Sequence, residues 1–152
     1  MFVINFKKTW YNNDKVTDEN NEIGEKIMKL KFFKCNHCGN VIVKTVDSGV
    51  PVMCCGEAMT ELAANKEDAA VEKHVPAVTV SGDKIDVVVG DTVHPMMEAH
   101  YIQFICLETE KGFQIRTLTH EDEPKAVFAV TDDKPVAVYE LCNLHGLWVK
   151  EL

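Results

Sequence analysis

Val78-Thr79-Val80-Ser81-Gly82-Asp83-Lys84-Ile85-Asp86-Val87-Val88-Val89 places two β-branched runs either side of Ser-Gly-Asp. Runs of that kind about a glycine-containing turn are a hairpin signal. The same rhythm continues downstream. His100 to Leu107 reads as a long strand with Ile102, Phe104 and Cys106 on one face. Glu110-Lys111-Gly112 turns the chain into Phe113 to Leu118, and Val127-Phe128-Ala129-Val130 follows. Asp132-Asp133-Lys134-Pro135 turns into Val136 to Leu141, and Trp148 and Val149 mark a last strand. About seven short strands with turn signals between them predict a mainly β fold, a β-sandwich over residues 65–152.

Upstream, residues 28–64 form a second, smaller unit. Cys35-Asn36-His37-Cys38-Gly39 and Cys54-Cys55-Gly56 flank the strand Val41-Ile42-Val43 and the turn Asp47-Ser48-Gly49. This spacing predicts a hairpin closed by a metal on Cys35, Cys38, Cys54 and Cys55. Four thiolates in a tetrahedron suit zinc or a single iron, and spacing does not choose between them. Glycine after each cysteine pair permits positive φ, so backbone N–H groups can turn toward the sulfurs. A unit this small lacks a core of its own, so metal binding is expected to supply much of its folding free energy. His37 is expected to face solvent. Residues 63–73 read as a linker. Residues 1–27 read as a weakly structured extension, with Met28 resembling a fresh start.

The 152 residues suffice for one ordinary domain, or a small and a medium one. A hydrophobic share of 46% makes a packed core feasible. A formal charge of −8, with Arg116 the one arginine, argues against nucleic acid as a partner. No apolar run approaches the ~20 residues of a membrane span, and the N-terminus does not read as a secretory leader. A soluble, cytoplasmic protein is expected. Clustered cysteines in such a compartment bind metal more often than they pair.

A second metal constellation runs through the sandwich. His74 and His94 stand in proline-marked segments, His100 opens a strand, and Cys142-Asn143-Leu144-His145-Gly146 puts a thiol and an imidazole three residues apart. Each histidine alone is ordinary. Together they offer four imidazoles and a thiolate, which suits an iron with one position open to a small molecule. Two alternatives stay open at this point. A blue-copper centre uses two His and one Cys, but its usual methionine after the second His is missing from residues 146–152. A zinc site from three His and Cys142 would leave one His idle. His120 lies in an acidic loop and reads as solvated. Cys106 reads as a small, buried apolar residue.

These motifs, with Glu72-Lys73-His74-Val75-Pro76, His94-Pro95-Met96 and Ala99-His100-Tyr101-Ile102, resemble the desulfoferrodoxins, the two-iron superoxide reductases. The resemblance spans residues 28–152. It implies a rubredoxin-like iron on Cys35, Cys38, Cys54 and Cys55 in a desulforedoxin-like unit. It implies a second iron with His74, His94, His100 and His145 equatorial and Cys142 axial. The larger domain would be an immunoglobulin-like sandwich, and the protein a homodimer. The implied reaction is one-electron reduction of superoxide to hydrogen peroxide, fed by a small redox donor such as rubredoxin. Lys73 would attract the anion and help place protons, and Glu72 would take the open position once iron is ferric. The competing classes are a non-catalytic metal protein, a simple electron carrier and a dismutase. Metal identity, binding of azide or cyanide, and peroxide yield per superoxide separate them.

Overall fold

The computed structural model describes residues 30–66, 74–90 and 92–152. The expected extension at 1–27, and Glu72 and Lys73, lie outside the described residues. Among those described there are twelve strands, and no helix is long and apolar enough to cross a membrane.

Five short strands surround the cysteines: β1 (Lys31–Lys34), β2 (Val41–Lys44), β3 (Met53–Cys54), β4 (Glu57–Ala58) and β5 (Thr60–Glu61). β1 pairs with β2 and β5, and β3 pairs with β4. Seven longer strands follow: β6 (Pro76–Ser81), β7 (Lys84–Val89), β8 (Ile102–Thr109), β9 (Phe113–Thr117), β10 (Lys125–Ala129), β11 (Pro135–Cys142) and β12 (Gly146–Glu151). They make an antiparallel sheet in the order β10-β7-β6 and another in the order β12-β11-β8-β9. The hairpin read from Val78 to Val89 is β6–β7, with Val80 opposite Ile85 and Ser81 opposite Lys84.

The two sheets close on one core. β7 contributes Ile85, Val87 and Val89, β10 contributes Ala126 and Phe128, and β8 and β11 contribute Ile105, Leu107 and Val138. The other face of β8 and β11 is also covered. Phe104, Cys106, Ala137, Tyr139 and Leu141 pack there with Phe32 of β1. The Phe32 ring lies 5.4 Å from that of Phe104 and 5.2 Å from that of Tyr139. The cysteine unit therefore has apolar support that its own size could not provide. It borrows a face of the larger sheet, a support beside the metal expected to supply much of its folding free energy.

The expectation of Ile102, Phe104 and Cys106 on one face fails at its first member. Ile102 lies in the core between the sheets, whereas Phe104 and Cys106 face β1. The cause is a register shift: Leu141 is opposite Phe104, but Cys142 is opposite Ile102. Gln103 is thus an extra residue on β8, a bulge that resets the alternation of side chains. A strict period of two carried through position 103 gives the wrong face for everything before it.

A buried acid sits at the joint between the cysteine unit and the sheet. Glu108 is 2% exposed. Its Oε2 accepts a hydrogen bond from Tyr139 Oη at 2.9 Å, and its Oε1 accepts one from the Leu30 N–H at 3.1 Å. Burial raises the Tyr139 pKa, and the bond to Glu108 raises it further. Tyr139→Phe is expected to lower stability by about 1–3 kcal/mol at pH 7, because the carboxylate loses a donor. An unchanged urea midpoint would show that the hydroxyl is not what satisfies Glu108. Burial also pushes the neighbouring Cys106 thiol from 9.0 up to about 12, so the fold holds it protonated. Its contribution is complete below pH 9.0 and is lost as pH rises toward about 12, because the unfolded chain releases that proton first. Urea titrations across this window should show falling stability, with a flatter slope in Cys106→Ala.

Candidate metal centres

Cys35, Cys38, Cys54 and Cys55 converge with all four sulfurs within 4.8 Å of one another. Cys35 and Cys38 stand at the ends of a turn in which the Gly39 N–H donates to the Cys35 carbonyl at 3.0 Å. Cys54 ends β3, and Cys55-Gly56 is the two-residue link to β4, where Cys54 is opposite Glu57. Both linking residues have positive φ, 51° at Cys55 and 85° at Gly56. That is the hairpin turn that normally wants Asn-Gly. In an extended chain adjacent side chains point to opposite faces. The left-handed conformation of Cys55 is what lets two consecutive sulfurs meet one centre, at the conformational cost usual for a non-glycine residue there.

The sulfur spacing fits a tetrahedral metal. Cys38 Sγ is 3.6 Å from Cys54 Sγ, which is 3.9 Å from Cys55 Sγ. Metal–sulfur bonds of about 2.3 Å require tetrahedral edges of about 3.8 Å. The backbone N–H of Cys38, 3.5 Å from Cys35 Sγ, and that of His37 lower the Cys35 pKa to about 6. The Cys38 thiol, with Cys54 and Cys35, pushes Cys55 up to about 12, and the same Cys38 thiol, with Cys35, raises Cys54. A metal entering this group therefore displaces protons from Cys54 and Cys55.

The second group is built from strand ends. His74 precedes β6. His94 follows β7, and its N–H donates to the Val89 carbonyl at 3.2 Å. His100 closes a small loop in which Met97 and His100 exchange two backbone hydrogen bonds of 2.9 Å. Cys142 ends β11, and His145 lies in the three-residue loop to β12. Cys142 and Gly146 are paired across that loop, with Gly146 at φ 83°. Three-residue hairpin loops favour such a glycine.

The four imidazoles form a near-square. Ring centroids are 4.7 Å apart for His74–His94, 4.5 Å for His94–His100, 4.8 Å for His100–His145 and 4.8 Å for His74–His145. The diagonal His74–His100 is 6.4 Å, close to the side multiplied by √2. Cys142 completes the group, with Sγ 3.5 Å from His145 Nδ1. All five residues present a ligand atom within 4.8 Å of the others. His74, His94, His100 and Cys142 are buried, and His145 is exposed. Four imidazoles and one thiol converging in this way are a donor set that suits a transition metal such as iron.

Two features of this group are not legible from motif spacing. Glu140, fully buried, places Oε1 3.4 Å from His74 Nδ1, so the inward-facing nitrogen of that ring is Nε2. Trp148 stacks on a face of the same ring, with centroids 4.8 Å apart and planes 18° from parallel. The signal for Glu140 was its parity. It lies two residues before Cys142 on one strand and so shares its face. His37 and His120 are exposed and stand outside both groups, and Cys106 is fully buried, as expected.

Comparison with known proteins agrees with this geometry. The Desulfoferrodoxin family profile matches residues 66–151. The desulfoferrodoxin of Syntrophotalea carbinolica is 42% identical over 123 residues, covering 81% of this chain and 97% of that one. The desulfoferrodoxin of Nitratidesulfovibrio vulgaris is 39% identical over 123 residues with the same coverage. Among solved structures, the superoxide reductase from Treponema pallidum is similar at a TM-score of 0.70 and 35% identity, over 81% of this chain and 98% of that one. With two donor groups of this composition and similarity of this extent, the chain belongs to the desulfoferrodoxin family.

Proposed function

We propose that this chain is a superoxide reductase, converting superoxide, one electron and two protons into hydrogen peroxide as a defence against oxidative stress. The observation that carries the reading is the near-square of His74, His94, His100 and His145 with Cys142 beside it. It is supported by the superoxide reductase from Treponema pallidum, similar over most of both chains.

His74, His94, His100, His145 and Cys142 would hold an iron, which would supply the one-electron redox chemistry of the reaction. The chain's own part is positional. The fold gathers four imidazoles and one cysteine sulfur around a single point, with all but His145 buried, and a metal there would take the imidazoles neutral and the sulfur as thiolate. Glu140 beside His74 Nδ1 holds that ring in one tautomer. The Cys142 thiolate, the strongest donor of the five, sends electron density toward the metal. Cys35, Cys38, Cys54 and Cys55 hold the other iron. Four sulfurs would satisfy a tetrahedral metal, so this group would serve electron relay or structural support rather than substrate binding.

Several parts of the reading rest on the family resemblance. Residues 28–64 act as the iron–sulfur unit, 65–152 as the reductase domain and 1–27 as an extension. A small redox protein such as rubredoxin delivers electrons, and the protein works as a homodimer. Use of four cysteines for metal fits a reducing, cytoplasmic setting. Glu72 and Lys73 lie outside the described residues. Lys73 is assigned the attraction of superoxide toward a protein of net charge −8, and Glu72 the open position in the oxidised state.

Yield and rate test these assignments. With an external reductant, the iron-loaded protein is expected to give one peroxide per superoxide. One peroxide per two superoxides would mean dismutation and overturn the reading. Cys142→Ala is expected to abolish the reaction and leave the four-cysteine chromophore intact. Lys73→Ala should lower the second-order rate constant with superoxide, and added salt should slow the wild type more than the variant. Equal salt dependence in both would remove Lys73 from its steering role.

A further inference from the structure

We propose that Asn143 is a positioning residue for the five-donor centre, acting as a side-chain clamp that fixes His100 against Cys142 and His145. This rests on the reading of those residues as metal ligands. The observation behind it is the bulge at Gln103. The β8–β11 ladder jumps from Leu141–Phe104 to Cys142–Ile102 and then ends, because the chain turns into the 143–145 loop. Residues 99–101 lie just beyond that end. Without a neighbour, their backbone groups would have no ladder partner.

Asn143 supplies three bonds to this segment. Its backbone N–H donates to the Tyr101 carbonyl at 3.1 Å. Its Oδ1 accepts from the Tyr101 N–H at 2.9 Å. Its Nδ2 donates to the Ala99 carbonyl at 3.0 Å. The side-chain amide thus stands in for a peptide group and carries the ladder one unit past the bulge. Its orientation is fixed by its partners, since a carbonyl needs the NH2 end and an N–H needs the oxygen. His100 lies between the two clamped residues. Its own N–H and carbonyl bond to Met97, so every backbone polar group from the Ala99 carbonyl to the Tyr101 carbonyl has a partner. The backbone of this ligand is held on one side by a local loop and on the other by a residue more than forty positions away, located between two further ligands.

The geometry is specific to asparagine. Aspartate keeps the acceptor for Tyr101 but sets a carboxylate oxygen against the Ala99 carbonyl. Glutamine is one methylene too long, and alanine keeps the backbone bond alone. Loss of the clamp frees the His100 side of the square and leaves the four-cysteine group untouched.

The test uses full-length protein with iron at both centres. Release of iron to a chelator is followed at each centre, together with the visible absorption of the ferric thiolate at the five-donor site. Outer-shell partners of metal-binding histidines typically contribute 10- to 100-fold in affinity. Asn143→Ala is accordingly expected to release iron from the five-donor centre about 10-fold faster or more, with a shifted thiolate band, and from the four-cysteine centre at the wild-type rate. Asn143→Asp should fall between the two, or beyond alanine if the repulsion at Ala99 dominates. Release and band position within twofold of wild type in both variants would overturn the proposal. So would equal acceleration at both centres or global unfolding of both variants, since the clamp acts on residues 99–101 alone. If wild-type protein holds no iron at the five-donor centre, the assignment of the ligands fails instead, which is a separate and recognisable outcome.

Discussion

The pairing of β8 with β11 is the constraint on which the rest depends. Both strands are buried on both faces. One face looks into the space between the sheets, through Ile105, Leu107, Val138 and Cys142. The other looks toward the cysteine unit, through Phe104, Cys106, Tyr139 and Leu141. A strand covered on both sides reads as a nearly continuous apolar run, as Ile102 to Leu107 does. The wall therefore has two tasks. It closes the sandwich and ends at Cys142 in the five-donor group, and its reverse face anchors a unit too small to stand alone.

Much of this was legible because the signals are local. A glycine-centred turn between two β-branched runs suffices for β6–β7, and C-x-x-C with C-C suffices for a sulfur tetrahedron. The bulge at Gln103 was not legible. It depends on where β11 stops pairing, a long-range fact with no mark in residues 100–107. The near-square of imidazoles is long-range too. Its corners fall at positions 74, 94, 100 and 145, brought together by strand pairing rather than spacing, so the motif resemblance identified them before any geometry could. Glu140 escaped notice for a different reason. A carboxylate in an apolar strand reads as a surface residue until its face is known, and only the register puts it behind His74.

The two donor groups differ in how the fold builds them. The sulfurs sit on turns, Cys38 and Cys55 exposed, with one residue in a left-handed conformation to aim them. The imidazoles sit at the ends of long strands, and four of the five donors are buried. The first design tolerates a filled, inert coordination sphere near the surface. The second buries four of its donors and leaves only His145 exposed.

The described start of the connection between the groups, residues 62–66, is tied down at both ends. The Leu62 N–H donates to the Phe32 carbonyl at 2.8 Å, which ties the end of the cysteine unit back to β1. Three residues later Asn65 inserts beside β12, donating to the Leu147 carbonyl and accepting from the Val149 N–H, both at 2.9 Å. Between those two residues is Trp148, whose ring lies against His74. The chain leaving the sulfur group is therefore fixed to the strand that backs the imidazole group before it continues to His74. Two metals with separate tasks can act in one molecule if their separation is constant. Here Phe32 buried on one side of the wall and Asn65 locked along its edge provide that constancy without requiring the two groups to share a ligand.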